Sequence, residues 1–188
     1  MDHAHGRSTG VNQAVAERIP AVASADRETF AALYERTFAR VYAYVASLVR
    51  DAAAAEDVTA QAYERAYRKR RSYRAQRGTP EAWLFGIARN AALDELRRRR
   101  RRARLADEPE DGTGASVHEH AERALRREVV RAGLATLDGP ERELIALKFA
   151  GSLSNAEIGR VLGISESNVG TRLHRALTKL RKACHVDA

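Results

Sequence analysis

Three sets of residues in this 188-residue chain are of types and spacings that do more than pack. The first is Ser167, Gly170, Thr171, His174, Arg175 and Thr178, which at about 100° per residue fall together on one side of a helix. Hydroxyls, an imidazole and a guanidinium on one exposed helical face are the groups that read base edges in a major groove. The second set joins Tyr73, Trp83 and Asn90 to Arg71, Arg74, Arg77 and Arg89. Opening a duplex means holding an unstacked base at a cost of a few kcal/mol, which aromatic stacking, an amide on the base edge and nearby positive charge can offset. Trp83 is equally suited to a core, and Asn90 to a solvated surface. The third set is the uninterrupted run Arg97 to Arg102, with Arg104 following. Like charges so close together need an anion; phosphate would serve, and the other reading is a solvated helix end that complements the macrodipole.

These sets must be carried by helices. Ser154 precedes Glu157 by three residues, the spacing of a capping box, so a helix should begin there with Ile158, Val161 and Leu162 as its apolar stripe. Gly163 gives the tight turn its backbone freedom, and Ser165 can cap the next helix, whose buried stripe is Val169, Leu173, Ala176 and Leu180. From Leu137 to Arg181 the pattern is that of three or four short helices ending in a helix-turn-helix.

The amino-terminal half predicts a small bundle. Phe30, Leu33, Tyr34, Phe38, Val41, Val45, Leu48 and Val49 form the stripe of a long helix from Asp26. A second helix over Asp51 to Arg70 places Ala55, Val58, Ala62 and Ala66 inward and Asp57, Ala60, Gln61 and Glu64 outward. The basic run from Arg68 to Thr79 has loop composition; Thr79 then caps, and Pro80 takes the first helical position. The third helix, Trp83 to Arg102, packs through Leu84, Ile87, Ala88 and Ala91 and sets Asn90, Asp94 and Arg97 on another face with Trp83.

Composition narrows the function. A net charge of +8 with clustered arginines points to a polyanionic partner, nucleic acid first. One cysteine, Cys184, excludes an intramolecular disulfide and a cysteine-rich metal site and suits a reducing cytoplasm. His3 and His5 are only a pair of histidines in the expected mobile tail, and His118 with Glu119 and His120 has no third well-spaced ligand following, so no metal or other cofactor is expected. No nucleophile with its base and no phosphate-binding loop is present, so an enzyme is not expected either. No apolar run reaches membrane-spanning length and the start lacks a signal-peptide core, so a cytoplasmic protein is expected. The expected fold is all-α: a disordered tail over 1–25, a helical domain over 26–104, a flexible linker over 105–122, a helix-turn-helix domain over 123–183 and a short tail over 184–188. The acidic Asp107 to Gly114 stretch carries the linker signature. About a dozen extended residues span at most roughly 40 Å, slightly more than the roughly 35 Å of one duplex turn.

Particular residues also carry a resemblance. Leu137, Pro140, Glu141 and Arg142, then Leu153-Ser154, Glu157-Ile158, Leu162 to Glu166, Val169 and Arg172 to Ala176 resemble region 4 of bacterial sigma factors of the extracytoplasmic-function type. Trp83-Leu84, Ile87 to Asn90, Asp94 and Arg97 resemble region 2 of the same family. The resemblance implies a promoter-specificity subunit of core RNA polymerase. Region 4 would read the minus-35 element through Ser167, Gly170, Thr171, His174 and Arg175 and touch the polymerase flap. Region 2 would recognise and melt the minus-10 element of promoter DNA through Tyr73, Arg74, Arg77, Trp83, Arg89, Asn90, Asp94 and Arg97. Asp57, Ala60, Gln61 and Glu64 would meet the clamp helices of the largest polymerase subunit, with Ala60-Gln61 replacing a frequent Gln-Glu pair. Arg98, Arg99, Arg101 and Arg102 would hold phosphates. At Gly170 the family has Lys or Arg. The family also implies an anti-sigma partner. The alternative function is a freestanding helix-turn-helix regulator, which would use its amino-terminal half for a ligand pocket or dimerisation.

Overall fold

The computed structural model describes residues 24–106 and 121–186. They form seven α-helices and two short 3-10 turns, with no strand among the described residues. The chain divides between residues 112 and 113 into two compact units.

The first unit is built on α1 (Ser24–Val49), α2 (Ala52–Lys69) and α3 (Pro80–Ala106). Alanines at 55, 62, 66, 88, 91 and 92 are all buried, and their small side chains let the three helices approach closely. The space left at one end is filled by rings. Tyr63 lies 4.8 Å from Tyr34 and 6.0 Å from Phe38, and Phe30 meets Tyr67 edge-on at 5.2 Å. The buried Tyr63 hydroxyl shares a hydrogen bond of 2.8 Å with Thr37 Oγ1, which settles a polar group that would otherwise be costly there. Burial pushes the Tyr63 phenol's pKa upward. Tyr44, Tyr63, Tyr67 and Phe85 are thus core residues that the expected stripes omit.

Local signals set the helix ends. Arg50, at φ 53°, turns the chain after α1, and Asp51 caps α2 by accepting from the Ala54 amide at 2.8 Å. Thr79 Oγ1 accepts from the Ala82 amide at 3.2 Å, and Pro80 opens α3. That helix runs from Pro80, the expected first helical position, to Ala106, four residues past the expected Arg102 and into the stretch expected as linker. The expected tail over 1–25 is helical at Ser24 and Ala25, while its residues 1–23, with His3 and His5, lie outside the described residues.

The second unit holds α4 (Ala121–Ala135), α5 (Gly139–Phe149), α6 (Asn155–Leu162) and α7 (Glu166–Val186). Helix α4 was not foreseen, and its first two residues fall in the stretch expected as linker; residues 107–120, including His118, Glu119 and His120, lie outside the described residues. Leu137, Leu144, Leu147, Leu153, Ile158, Val169, Leu173 and Ala176 form the core. Val161 and Leu162 are only half-buried. A second capping box, Asp138 with Glu141, starts α5. The Glu141 carboxylate also binds Lys179 of α7, whose ammonium, together with the Asp138 amide, holds the Glu141 carboxyl below its ordinary range. Helix α7 continues through Cys184 to Val186, into the short tail expected at 184–188.

Candidate functional site

The helix-turn-helix is assembled by backbone fit. Ser154 and Glu157 make the expected box, and Gly163 ends α6 in the left-handed region at φ 71°. The Ile164 amide donates back to the Gly159 carbonyl at 3.0 Å. This brings the Ile164 carbonyl so close that a Cβ on Gly159 would lie 2.7 Å from it. Gly159 is therefore a determinant of the turn that sequence reasoning missed; its signal was a glycine inside a helical pattern four residues before the turn glycine.

Ser165 Oγ accepts from the Asn168 amide at 3.2 Å and starts α7. Val169, Leu173 and Ala176 anchor that helix inward, which leaves Ser167, Thr171, His174 and Arg175 exposed and Gly170 and Thr178 half-exposed. Thr171 and Thr178 return their hydroxyls to the carbonyls one turn back, at 3.1 and 2.8 Å, and so keep their oxygens as acceptors. Beside Gly170 stands Asn155, its Nδ2 3.8 Å from where a Cβ would be, and Asn155 Oδ1 accepts from Lys148 Nζ at 3.1 Å. The gap in the recognition face thus has an amide from α6 beside it, itself held by Lys148 of α5, both residues outside the expected set.

In the first unit the segment between α2 and α3 folds into two 3-10 turns, Arg70–Ser72 and Ala75–Arg77. Tyr73 donates to the Gly78 carbonyl at 2.9 Å, and its ring lies 5.7 Å from that of Trp83. Trp83 is neither core nor free: it is half-buried at the rim of a cavity of about 250 Å³ lined by Phe30, Leu33, Arg36, Arg70, Arg71, Tyr73 and Pro80. An apolar floor, aromatic rim and arginine border suit a planar base beside a charged backbone. Arg74 bonds the carbonyls of Arg71 and Tyr73, which ties one expected DNA contact to the loop. Arg77 is exposed and Arg89 half-buried. Asn90 is exposed on α3, and Asp94, about one turn further, joins Arg65 of α2 at 3.3 Å to Arg97 at 3.2 Å. Asp94 and Arg97 therefore pair with each other as well as facing outward.

The outer face of α2 presents Asp57 fully and Ala60, Gln61 and Glu64 partly, with Glu64 paired to Arg68. Asp57 and Gln61 form one wall of a groove of about 520 Å³ whose other wall is Glu95, Arg98, Arg101 and Arg102 of α3. The arginine run does not depend on phosphate for all its neutralisation. Glu95 pairs with Arg98, Arg99 and Arg102, and Arg99 also reaches Asp51 at 3.4 Å and the Val49 carbonyl at 3.3 Å. Charge counting within the run overlooked the acid just before it.

Among the described residues no group of three metal-ligating side chains occurs, and no helix is long and apolar enough to cross a membrane. A helix-turn-helix with an exposed polar face, on the same chain as a three-helix unit with an aromatic cavity and a basic helix end, defines a DNA-binding protein of two helical modules. Comparison with known proteins narrows this. Residues 33–102 match the model of Sigma-70 region 2, and residues 127–180 that of Sigma-70, region 4. The ECF RNA polymerase sigma factor SigK of Mycobacterium ulcerans (strain Agy99) is 31% identical over 180 residues, 94% of each chain. SigL of Mycobacterium tuberculosis (strain H37Rv), also an ECF RNA polymerase sigma factor, is 33% identical over 165 residues, 87% of this chain and 93% of that one. The fold resembles that of the sigma factor RpoE bound to the anti-sigma factor NepR from Bartonella quintana, with a TM-score of 0.73, 24% identity, and coverage of 86% of this chain and 99% of that one. It also resembles CnrH in complex with the cytosolic domain of CnrY, at a TM-score of 0.63 and 23% identity over 95% and 97% of the chains. The chain belongs to the sigma-70 family, in its extracytoplasmic-function group. Neither match supports the freestanding regulator.

Proposed function

We infer that this sigma factor binds core RNA polymerase in the cytoplasm and directs it to a class of promoters, with no chemistry of its own. The observation that carries this is the pairing in one chain of a region 2 unit and a region 4 unit. In this reading α7 enters the minus-35 major groove, with Ser167, Thr171, His174 and Arg175 on base edges. The glycine at 170 leaves one reading position empty, and Lys148, held by Asn155, brings positive charge beside it. The cavity between Tyr73 and Trp83 takes an unstacked minus-10 base, with Asn90 along the same face and Arg71 and Arg77 near its backbone. Arg100 and Arg101, both exposed at the end of α3, meet phosphates. Asp57, Ala60, Gln61 and Glu64 dock on the polymerase clamp. The similarity to folds solved with NepR and with CnrY supports an anti-sigma partner for this chain too.

The test is run-off transcription by purified core polymerase supplied with this protein on genomic fragments. Initiation at a defined set of promoters is expected, and Trp83→Ala should reduce open-complex formation more than it reduces core binding. A chain that retargets no initiation, yet binds DNA alone with sequence preference, would overturn the reading.

A further inference from the structure

The run Arg97 to Arg102 is uniform in sequence but not in surroundings. Counting from Glu95, positions three, four and seven residues on share its side of the helix. These are Arg98, Arg99 and Arg102. Glu95 Oε2 accepts from Arg98 at 2.9 Å, and its Oε1 accepts from Arg99 Nε at 3.0 Å and from Arg102 at 3.1 Å. The Glu95 side chain is only 12% exposed, whereas those of Arg98 and Arg102 are 52% and 71% exposed. Two surface arginines therefore bend back to a shielded carboxylate. Arg99, at 29% exposure and tied also to Asp51 and the Val49 carbonyl, already supplies the neutralisation that burying Glu95 requires. Arg98 and Arg102 are in excess of that need. Arg101 lines the same groove as Arg98 and Arg102 but, like Arg100, is not among the arginines that pair with Glu95, and both are exposed.

We propose that Glu95 is a positioning residue that withholds Arg98 and Arg102 from DNA phosphates and so lowers this protein's affinity for DNA of any sequence. The inference rests on the reading that the end of α3 lies along DNA. Each phosphate neutralised adds about 0.9 to the slope of log affinity against log salt. Arg98 and Arg102 freed beside Arg100 and Arg101 would make a stronger, indiscriminate grip, which competes with promoter search. A shielded carboxylate attracts its arginines with less screening by salt than an open surface pair does, so the withheld pair persists at moderate ionic strength. The arrangement thus divides one run by helical period into arginines that face DNA and arginines that face their own fold.

The experiment measures binding of the full-length chain to a fluorescein-labelled duplex lacking promoter elements, by anisotropy at several salt concentrations. Glu95→Gln should bind more tightly and steepen the salt slope by about one to two units, and adding Arg98→Gln with Arg102→Gln should cancel that gain. A purely structural role for Glu95 would lower affinity or leave the slope unchanged, and either result overturns the proposal. Should Glu95→Gln fail to fold, as judged by circular dichroism, Arg98→Gln/Arg102→Gln in the otherwise native chain decides alone. An unchanged slope supports withholding; a slope flattened by a unit or more means that these arginines already meet phosphates. Arg100→Gln/Arg101→Gln is the control for the underlying reading. It should flatten the slope by about two units, and no change would remove the end of α3 from DNA altogether.

Discussion

Gly159 and Gly170 both lie inside helices of the second unit, and replacing each by alanine should shift stability in opposite directions. The propensity gain is common to both, about 1 kcal/mol for alanine over glycine in a helix interior. At Gly170 the new methyl meets only Asn155 Nδ2, at 3.8 Å, an ordinary contact. The gain survives, and Gly170→Ala should stabilise the unit by roughly 0.5–1 kcal/mol, or about 4–8 °C per kcal/mol in midpoint for a domain of this size. At Gly159 the methyl would lie 2.7 Å from the Ile164 carbonyl oxygen and 3.5 Å from the Glu166 amide nitrogen. Neither is the end of a flexible side chain, so the turn must open and the bond from the Ile164 amide must lengthen. Overpacking of this kind costs about 1–3 kcal/mol, and more where backbone must move, which exceeds the propensity gain. Gly159→Ala should therefore be destabilising by about 1–2 kcal/mol net. Hydrogen exchange of the α6 and α7 amides measures both variants in the intact chain: protection should fall across both helices for Gly159→Ala and rise in α7 for Gly170→Ala. Equal stabilisation by the two substitutions would refute the steric account of the turn.

Arg175→Ala should relax preference at one minus-35 base by about 1–3 kcal/mol, as measured by holoenzyme binding to a minus-35 library. Lys148→Gln in the same assay should weaken all sequences alike and flatten the salt slope by roughly one unit; a base-specific loss would make Lys148 a reader instead. Asp57→Lys with Glu64→Lys should weaken capture of core polymerase in the absence of DNA, and undiminished capture would remove that face from the interface. The second unit should lose stability in acid. Because Lys179 and the Asp138 amide depress the folded pKa of Glu141, its contribution is present above the ordinary carboxylate range and is lost as pH falls through the lowered folded value. Lys179 runs the other way: its folded pKa is raised, chiefly by its hydrogen bond to Glu141, so its contribution holds up to the ordinary lysine range and fades above it. Thermal melts from neutral to acid pH should show a shallower decline for Glu141→Gln than for the native chain.

What the sequence discloses here is whatever is written within one or two helical turns. The Ser154 box, the Ser165 cap, the Thr79-Pro80 start and the stripe of Val169, Leu173 and Ala176 all depend on neighbours at most seven residues apart, and each was legible. Pairings across the fold were not. Arg99 meets Asp51 and Lys179 meets Glu141, in each case from a different helix, and nothing in either run marks the partner. Tyr63 and Tyr67 escaped because a stripe of alanines already satisfied the helical period, so the rings beside them counted as spare. Helix α4 escaped for another reason: six residues separate its start from the acidic Pro- and Gly-containing stretch, whose composition drew the expected linker past the true helix start.

Trp83 is the chain's only tryptophan, and it stands half-exposed at the rim of the cavity beside Tyr73. Protein grown with fluorinated tryptophan would therefore carry one magnetic label, at the place where strand opening is expected to act. Mixed with unlabelled polymerase and promoter, it yields a single fluorine line free of background from the much larger enzyme. A base arriving against the indole would shift that line through its ring current, so the moment of capture could be timed separately from docking and from the first phosphodiester bond.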